Sequence, residues 1–472
     1  MFFHSSEKRQ VAALFLIIVF LCGGSSAARQ KKDILQDVLS SDTLASSNVG
    51  IFAIDVSSGR ELYSLNSGKL FIPASVLKIL TAYTALKTLT PQYQFATEYY
   101  VTDTVMDSAS VSTLYIKGNG DPALSTVDLI YHARTVARRL TTPLNGGIVV
   151  DNSYFDTTHF GNGWMWDDPN VPIAPFFVND NRVLFMVSPG DSLGAVLKVS
   201  PEPFSSLMDI SVQATTGGED RISISSIAEK NREKIIIAGT LDSKSASMSF
   251  SSIVKQPELF AATIFTDFLS QNGVELSGPM RVGSVPPDAR SLGVFRSRPL
   301  REIVTKFLKE SNNLTGECIL KTIGAVSEGT PGDASKGTEA VIKALQEIGV
   351  RRKEYRIVDG SGLSTYNLLS PEILVKVLKA AHDDFTLYSE FSSALPVSGT
   401  DGTLRSRMED SLSRSVRAKT GTMSGVSSLA GYLKTRRGRL VAFAIIVNGF
   451  VGSSQPIRSA QDEMIKKMWS EW

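Results

Sequence analysis

Ile72-Pro73-Ala74-Ser75-Val76-Leu77-Lys78-Ile79-Leu80 decides how the rest of the chain is read. After the proline, Val76, Leu77, Ile79, Leu80, Ala82, Ala85 and Leu86 fall around most of a helical wheel. The spacing predicts a central, buried helix over 74–89. Ser75 and Lys78 are three residues apart and share one face. A serine at a helix start has an ordinary structural use as an N-cap. Lys78 has none, because an ammonium buried in an apolar helix is costly. Burial lowers a lysine pKa from about 10.4. The resulting neutral amine beside a hydroxyl is a nucleophile–base pair.

Two further motifs follow in order. Ser311-Asn312-Asn313 separates the helical runs Leu300–Lys309 and Leu314–Ser327. Alone it reads as a helix–helix turn with asparagine caps. In an active site, Ser311 would relay a proton and Asn313 would hold a substrate amide. Lys419-Thr420-Gly421-Thr422 lies in a strand-like run, Ser415–Thr422. Gly421 has no side chain, so another chain can approach the strand there and dock as an added strand. Lys419 would face a terminal carboxylate, and Thr420 and Thr422 offer hydroxyl donors. S-x-x-K and S-x-N strings recur elsewhere, at Ser252–Lys255 and Ser270–Asn272 for example, but K-T-G occurs once. The order S-x-x-K, S-x-N, K-T-G, each in its proper element, describes a complete acyl-transfer site.

Other chemistries are poorly supplied. The four histidines, His4, His132, His159 and His382, have no neighbours at metal-ligand spacing. Gly190-Asp191-Ser192-Leu193-Gly194 matches G-x-S-x-G, but Pro189 precedes it and no helix follows, so it reads as a turn. Asp167-Asp168 and Asp383-Asp384 read as solvated loop charges. A net charge of +2 over 472 residues implies no nucleic-acid or membrane-surface field. Lys8 and Arg9, the apolar run Val11–Cys22 and the small residues to Ala28 form a secretory signal over 1–27. Its removal leaves Cys318 alone, a buried thiol with no bridging partner.

The element pattern is split. A hairpin is expected over 48–65, with Ser57-Ser58-Gly59-Arg60 as its turn. Residues 93–289 alternate short strands with turn clusters. Helices then resume, and strands Ser427–Thr435 and Leu440–Val447 precede a last helix, Pro456–Trp472. The expected organisation is one unit from 28–92 and 290–472, with 93–289 inserted as two nested smaller domains.

With the motifs in place, the chain resembles the low-molecular-mass class C penicillin-binding proteins, the D-alanyl-D-alanine carboxypeptidase/endopeptidase family S13. Further segments carry the resemblance: Gly118–Pro122, Asp151–Phe155, Gly163-Trp164-Met165-Trp166, Asp359-Gly360-Ser361-Gly362-Leu363-Ser364 and Leu395–Leu404. The long stretch between Ser75 and Ser311 fits it too. The resemblance implies an α/β transpeptidase/β-lactamase-like domain, an antiparallel sheet with helices on both faces, built from both chain ends. It implies that Ser75 forms an acyl-enzyme, Lys78 acts as base, Ser311 relays the proton and Asn313 holds the peptide amide. Lys419, Thr420 and Thr422 would hold the terminal carboxylate, and the Ser75 and Thr422 amides would form the oxyanion hole. It implies peptidoglycan stem peptides as substrates, β-lactam antibiotics as covalent inhibitors, no cofactor, no nucleic acid, peripheral or no membrane association, and a periplasmic or cell-envelope location. A β-lactamase or esterase on the same fold, and a non-catalytic wall-binding relative, are the alternatives.

Overall fold

The computed structural model describes residues 33–106, 109–165, 171–230 and 232–472. The signal segment 1–27 and Asp167-Asp168 lie outside the described residues.

A short helix, α1 (Gln36–Leu39), precedes strands β1 (Asn48–Asp55) and β2 (Glu61–Leu65). Near the other end come β15 (Val416–Met423), β16 (Val426–Lys434) and β17 (Leu440–Asn448), numbered to follow the fourteen strands before them. These five make one sheet in the order β15-β16-β17-β1-β2. β1 runs antiparallel to β17 from Asn48↔Asn448 to Asp55↔Val441, so the two chain ends are joined at the sheet's middle. Both faces are apolar, because successive side chains point to opposite sides. Ala430, Tyr432, Ala442, Ala444 and Ile446 enter one core, and Leu429, Leu433, Val441, Phe443, Ile445 and Val447 enter the other.

Among the described residues nine more helices follow α1. They are α2 (Lys78–Leu89), α3 (Thr126–Ala137), α4 (Pro257–Gln271), α5 (Leu300–Glu310), α6 (Asn313–Glu328), α7 (Ala334–Glu347), α8 (Pro371–Asp383), α9 (Tyr388–Ala394) and α10 (Gln455–Glu471). The first face is covered by α2, α5, α6, α7 and α8. The second is covered by α10, through Ile457, Met464, Ile465 and Met468, and by α1. The molecule therefore has the antiparallel sheet with helices on both faces that the sequence implied.

Between the ends lie β3 (Ala96–Met106), β4 (Ala109–Gly118), β5 (Ile148–Asp151), β6 (Arg182–Ser188), β7 (Lys198–Glu202), β8 (Met208–Val212), β9 (Thr215–Thr216), β10 (Arg221–Glu229), β11 (Arg232–Leu241), β12 (Met248–Ile253), β13 (Met280–Gly283) and β14 (Arg290–Arg296). They form a mixed five-stranded sheet, β13-β5-β4-β3-β14, and two smaller ones, β12-β6-β7 and β10-β11-β8 with β9 beside β11. One continuous buried cluster, including Tyr99, Phe185, Ile237 and Phe265, underlies them. β14 pairs with β3, so the inserted sheet extends past the boundary expected at 289. That pairing spans nearly two hundred residues of chain, and no local pattern signals it.

Gly190–Gly194 lies in the bends between β6 and β7, with no helix after it. Among the described residues no helix is long and apolar enough to cross a membrane.

Candidate active site

The first turn of the predicted 74–89 helix is not α-helical. Ala74–Leu77 is a 3-10 turn, and the α-helix begins at Lys78. In 3-10 geometry residues i and i+3 eclipse, which places Ser75 directly over Lys78. Ala74 has φ +50°, an uncommon conformation for a residue with a Cβ. Its neighbours hold it there. Ser428 Oγ on β16 donates to Pro73 O at 2.6 Å. Asn448 at the end of β17 brackets Ile72, accepting from its N–H at 2.8 Å and donating to its carbonyl at 3.1 Å. Gly362, at φ +77°, lies so close to Ala74 that a Cβ on it would sit 2.2 Å from the Ala74 carbonyl oxygen. Ser75 therefore does not act as an N-cap; its Oγ is bonded to Lys78.

Lys78 is fully buried. Its Nζ lies 2.9 Å from Ser75 Oγ, 2.7 Å from Asn313 Oδ1 and 2.6 Å from Ser361 O. Burial pushes its pKa down to about 7, against the opposing pull of Asp359 and Glu317.

Asn313 is delivered by an abrupt corner between two helices. α5 ends at Ser311, which is left-handed with φ 61° and ψ 34°. Asn312 then caps α6 by accepting from Thr315 N at 3.0 Å. Asn313 thus occupies the first position of α6. Its Oδ1 is committed to Lys78, which leaves Nδ2 to donate. Ser311 Oγ has no hydrogen-bond partner among the described residues.

β15 lies against the Ser75 turn, and Gly421 is where they meet. A Cβ on Gly421 would fall 2.8 Å from Ser75 N and 2.3 Å from Ser428 Oγ. The space expected for a substrate chain is filled by the protein's own turn; the glycine brings the strand to Ser75. The outer edge of β15 is paired only at its start, where Ser398 N donates to Val416 O at 3.0 Å and Ala418 N to Pro396 O at 2.9 Å. Residues of the same parity, Thr420 and Thr422, therefore turn their backbone groups to that open edge. Lys419 is fully buried and reaches Thr420 O at 2.8 Å. Desolvation, then the nearby Lys78, hold its pKa well below 10.5, so a carboxylate at Nζ would stabilise its charge. Thr420 Oγ1 bonds to Thr403 Oγ1 at 2.7 Å.

Several contributors carried no motif label. Lys309 on α5 bonds Asp401 through both carboxylate oxygens, at 2.8 and 2.7 Å, and so ties the Ser311 corner to the loop bearing Thr403. Behind Lys78, Asp359 accepts from Gly362 N, Ser364 N, Asn367 Nδ2 and Trp164 Nε1. Glu317, one turn beyond Asn313, accepts from Gly360 N and Ser361 N. The signal for Glu317 was present: one carboxylate in the apolar run from Leu314 to Ile323. Cys318 beside it is buried, and burial raises its thiol pKa. Among the described residues no group of three or more His, Cys, Asp or Glu side chains is placed to hold a metal ion.

A half-exposed serine bonded to a buried lysine at the start of a central helix, facing an S-x-N corner and a K-T-G edge strand, defines a serine acyl-transfer enzyme of the transpeptidase-like fold. The profile of the D-Ala-D-Ala carboxypeptidase 3 (S13) family matches residues 31–468, and the chain belongs to that family: it is a serine-type D-Ala-D-Ala carboxypeptidase. It is 31% identical over 447 residues to a D-alanyl-D-alanine carboxypeptidase of Actinomadura sp. (strain R39), covering 89% of this chain and 81% of the relative. The fold matches the crystal structure of penicillin binding protein 4 (dacB) from Haemophilus influenzae with a TM-score of 0.79, at 24% identity, over 92% of this chain and 99% of the other. A structure of that Haemophilus protein complexed with a β-lactam matches with a TM-score of 0.75, at 23% identity and the same coverage of both chains.

Proposed function

We propose that Ser75 is the acylated nucleophile, Lys78 its base and Ser311 the proton carrier to the leaving amine. Asn313, Lys419, Thr420 and Thr422 hold the peptide, and Gly421 keeps their strand against Ser75. The observation that carries this reading is the hydrogen bonding of Lys78. A neutral amine has two N–H bonds and one lone pair. Asn313 Oδ1 and Ser361 O take the two N–H bonds, so the lone pair is left for the Ser75 hydroxyl proton.

The substrate is a peptidoglycan stem peptide ending in D-Ala-D-Ala, laid along the open edge of β15. Its terminal carboxylate meets Lys419, and its amide oxygen receives Asn313 Nδ2. Ser75 Oγ bonds to the penultimate carbonyl carbon while its proton passes to Lys78. The carbonyl electron pair moves to oxygen, where the amides of Ser75 and Thr422 stabilise it, about 3–4 kcal/mol per donor in such sites. Collapse breaks the C–N bond, and the leaving D-alanine nitrogen takes the proton from Lys78 through Ser311. Water then releases the acyl group and restores the hydroxyl. A β-lactam acylates Ser75 by the same attack, but its leaving nitrogen stays tethered and blocks water. The same site would serve endopeptidase cleavage of cross-links. A substrate outside the cytoplasm agrees with a signal segment over 1–27.

The test is the intact mass of the protein after brief exposure to benzylpenicillin, beside Ser75→Ala. One persistent penicilloyl adduct on the wild type alone is expected. No adduct with intact drug would overturn acylation at Ser75, and no adduct with hydrolysed drug would make the protein a β-lactamase.

A further inference from the structure

The proposed mechanism leaves two buried carboxylates beside the base unused, Asp359 and Glu317. Glu317 is 1% exposed on α6. Its oxygens accept 3.1 Å bonds from Gly360 N and a 2.9 Å bond from Ser361 N. These backbone partners are all donors, the environment of a carboxylate rather than of a carboxylic acid. The two peptides it grips end at Ser361: the Gly360 carbonyl of the second receives Thr81 Oγ1 at 2.7 Å, and the Ser361 carbonyl of the next peptide, whose Gly362 N–H is held by Asp359 at 2.8 Å, receives Lys78 Nζ at 2.6 Å. Two glycines make room for this. A Cβ on Gly316 would lie 3.2 Å from Gly360 O, and one on Gly360 would lie 2.5 Å from Gly316 O. One helix thus supplies Lys78 with one acceptor directly, Asn313 Oδ1, and through Glu317 anchors the N–H of Ser361, the residue that supplies the second.

We propose that Glu317 is a positioning residue for the base. Its carboxylate anchors the backbone N–H of Ser361, the residue whose carbonyl orients Lys78 Nζ, and its charge sets the pH at which Lys78 gives up its proton. The inference rests on Lys78 being the base for Ser75. The charged groups facing Lys78 are Glu317 on α6, Asp359 on the 359–367 loop and Lys419 on β15. Those acting on Glu317 are Asp359 and Lys78. Burial and then Asp359 raise the Glu317 pKa to about 7, while Lys78 favours its ionised form. Two carboxylates and two amines therefore share one dry region, and the protonation of each depends on the others.

The sign follows. A carboxylate near Lys78 favours the ammonium, so removing it lets Lys78 become neutral at lower pH. The test is the second-order rate of acylation by benzylpenicillin across the pH range for wild type, Glu317→Gln, Glu317→Asp and Lys78→Ala. Glu317→Gln should move the acidic limb down by about one pH unit. Glu317→Asp, which keeps a charge but shortens its reach, should keep the limb near the wild-type position with a lower plateau. A limb that does not move in Glu317→Gln, or moves up, overturns the proposal. Failure of the underlying reading looks different: Lys78→Ala would then acylate as fast as wild type. A second measurement needs no glutamine variant. In wild-type protein carrying carboxyl-13C glutamate, with the Glu317 signal assigned by its loss in Glu317→Asp, that carboxyl should be ionised wherever acylation is on its plateau. A Glu317 still protonated on the plateau overturns the proposal.

Discussion

Lys78 has three oxygen partners, and only the neutral amine can accept a proton from one of them. Because burial brings its pKa to about 7, the active form is populated above that pH and lost below it. Acylation by benzylpenicillin should therefore fall about tenfold per pH unit as pH drops below about 7, with a one-proton slope. Lys78→Arg carries a charge that does not titrate. It should acylate about 10²–10⁴-fold more slowly than the wild type on the wild-type plateau and show no acidic limb. Stopped-flow quenching of protein fluorescence on both proteins would decide it. An unchanged limb in the arginine variant would assign the titration to another group. This pair was legible in the sequence because it depends on a spacing of three and on an apolar surround, both local. The partners that complete it were not: Ser361 is 283 residues away from Lys78 along the chain, and nothing local aims its carbonyl.

The elements were legible where their periodicity was strong. The hairpin 48–65, the helices around Ser311-Asn312-Asn313 and the last three strands stand close to where their patterns put them. β7, β8 and β12 are five or six residues long and carry only half-exposed or exposed residues, so no continuous apolar run marked them. The first turn at Ser75 was misread as α-helix because its geometry is imposed from outside, by Ser428, Asn448 and Gly362. The junction of β15 with that turn leads to a prediction at this scale. Gly421→Ala places a methyl group 2.8 Å from Ser75 N and 2.3 Å from Ser428 Oγ, so strand and turn must separate. Overpacking of this kind costs about 1–3 kcal/mol, which a protein with two large cores should survive. Displacing Ser75 from Lys78 by about an ångström should slow acylation about 10²-fold. Thermal unfolding and penicillin acylation measured on the same preparation test this. A variant that acylates at the wild-type rate would show that Gly421 does not set the approach of β15 to Ser75.

At the scale of the molecule, the inserted region is fastened along α6 rather than hung from it. Phe155, Ile173, Ala174 and Phe177 pack with Leu314 and Cys318 of α6, residues that alternate with Asn313 and Glu317 around the helix start. Asp180, in a run of three left-handed residues, Asn179 to Asn181, accepts from Asn312 Nδ2 at 3.0 Å and from Lys306 Nζ at 3.2 Å. Deeper in the seam Lys321 of α6 is 2% exposed. Its ammonium bonds Asp156 and, at 2.6 Å, Thr158 O, and lies 5.7 Å from the centre of the Phe155 ring. Removing one member of a buried pair strands the other charge, a loss of about 3–5 kcal/mol when both are fully buried. Asp156 is 29% exposed, so Asp156→Ala should cost less, on the order of 2 kcal/mol. Replacing both partners, Asp156→Ala with Lys321→Met, removes the stranded ammonium and should recover most of that loss. The single variant should also acylate more slowly, because Phe155, the neighbour of Asp156, packs on the helix that carries Asn313. Denaturant unfolding of the wild type, both single variants and the double variant closes the cycle. Additive losses would mean that Lys321 and Asp156 act independently, and that the seam is held by its apolar contacts alone.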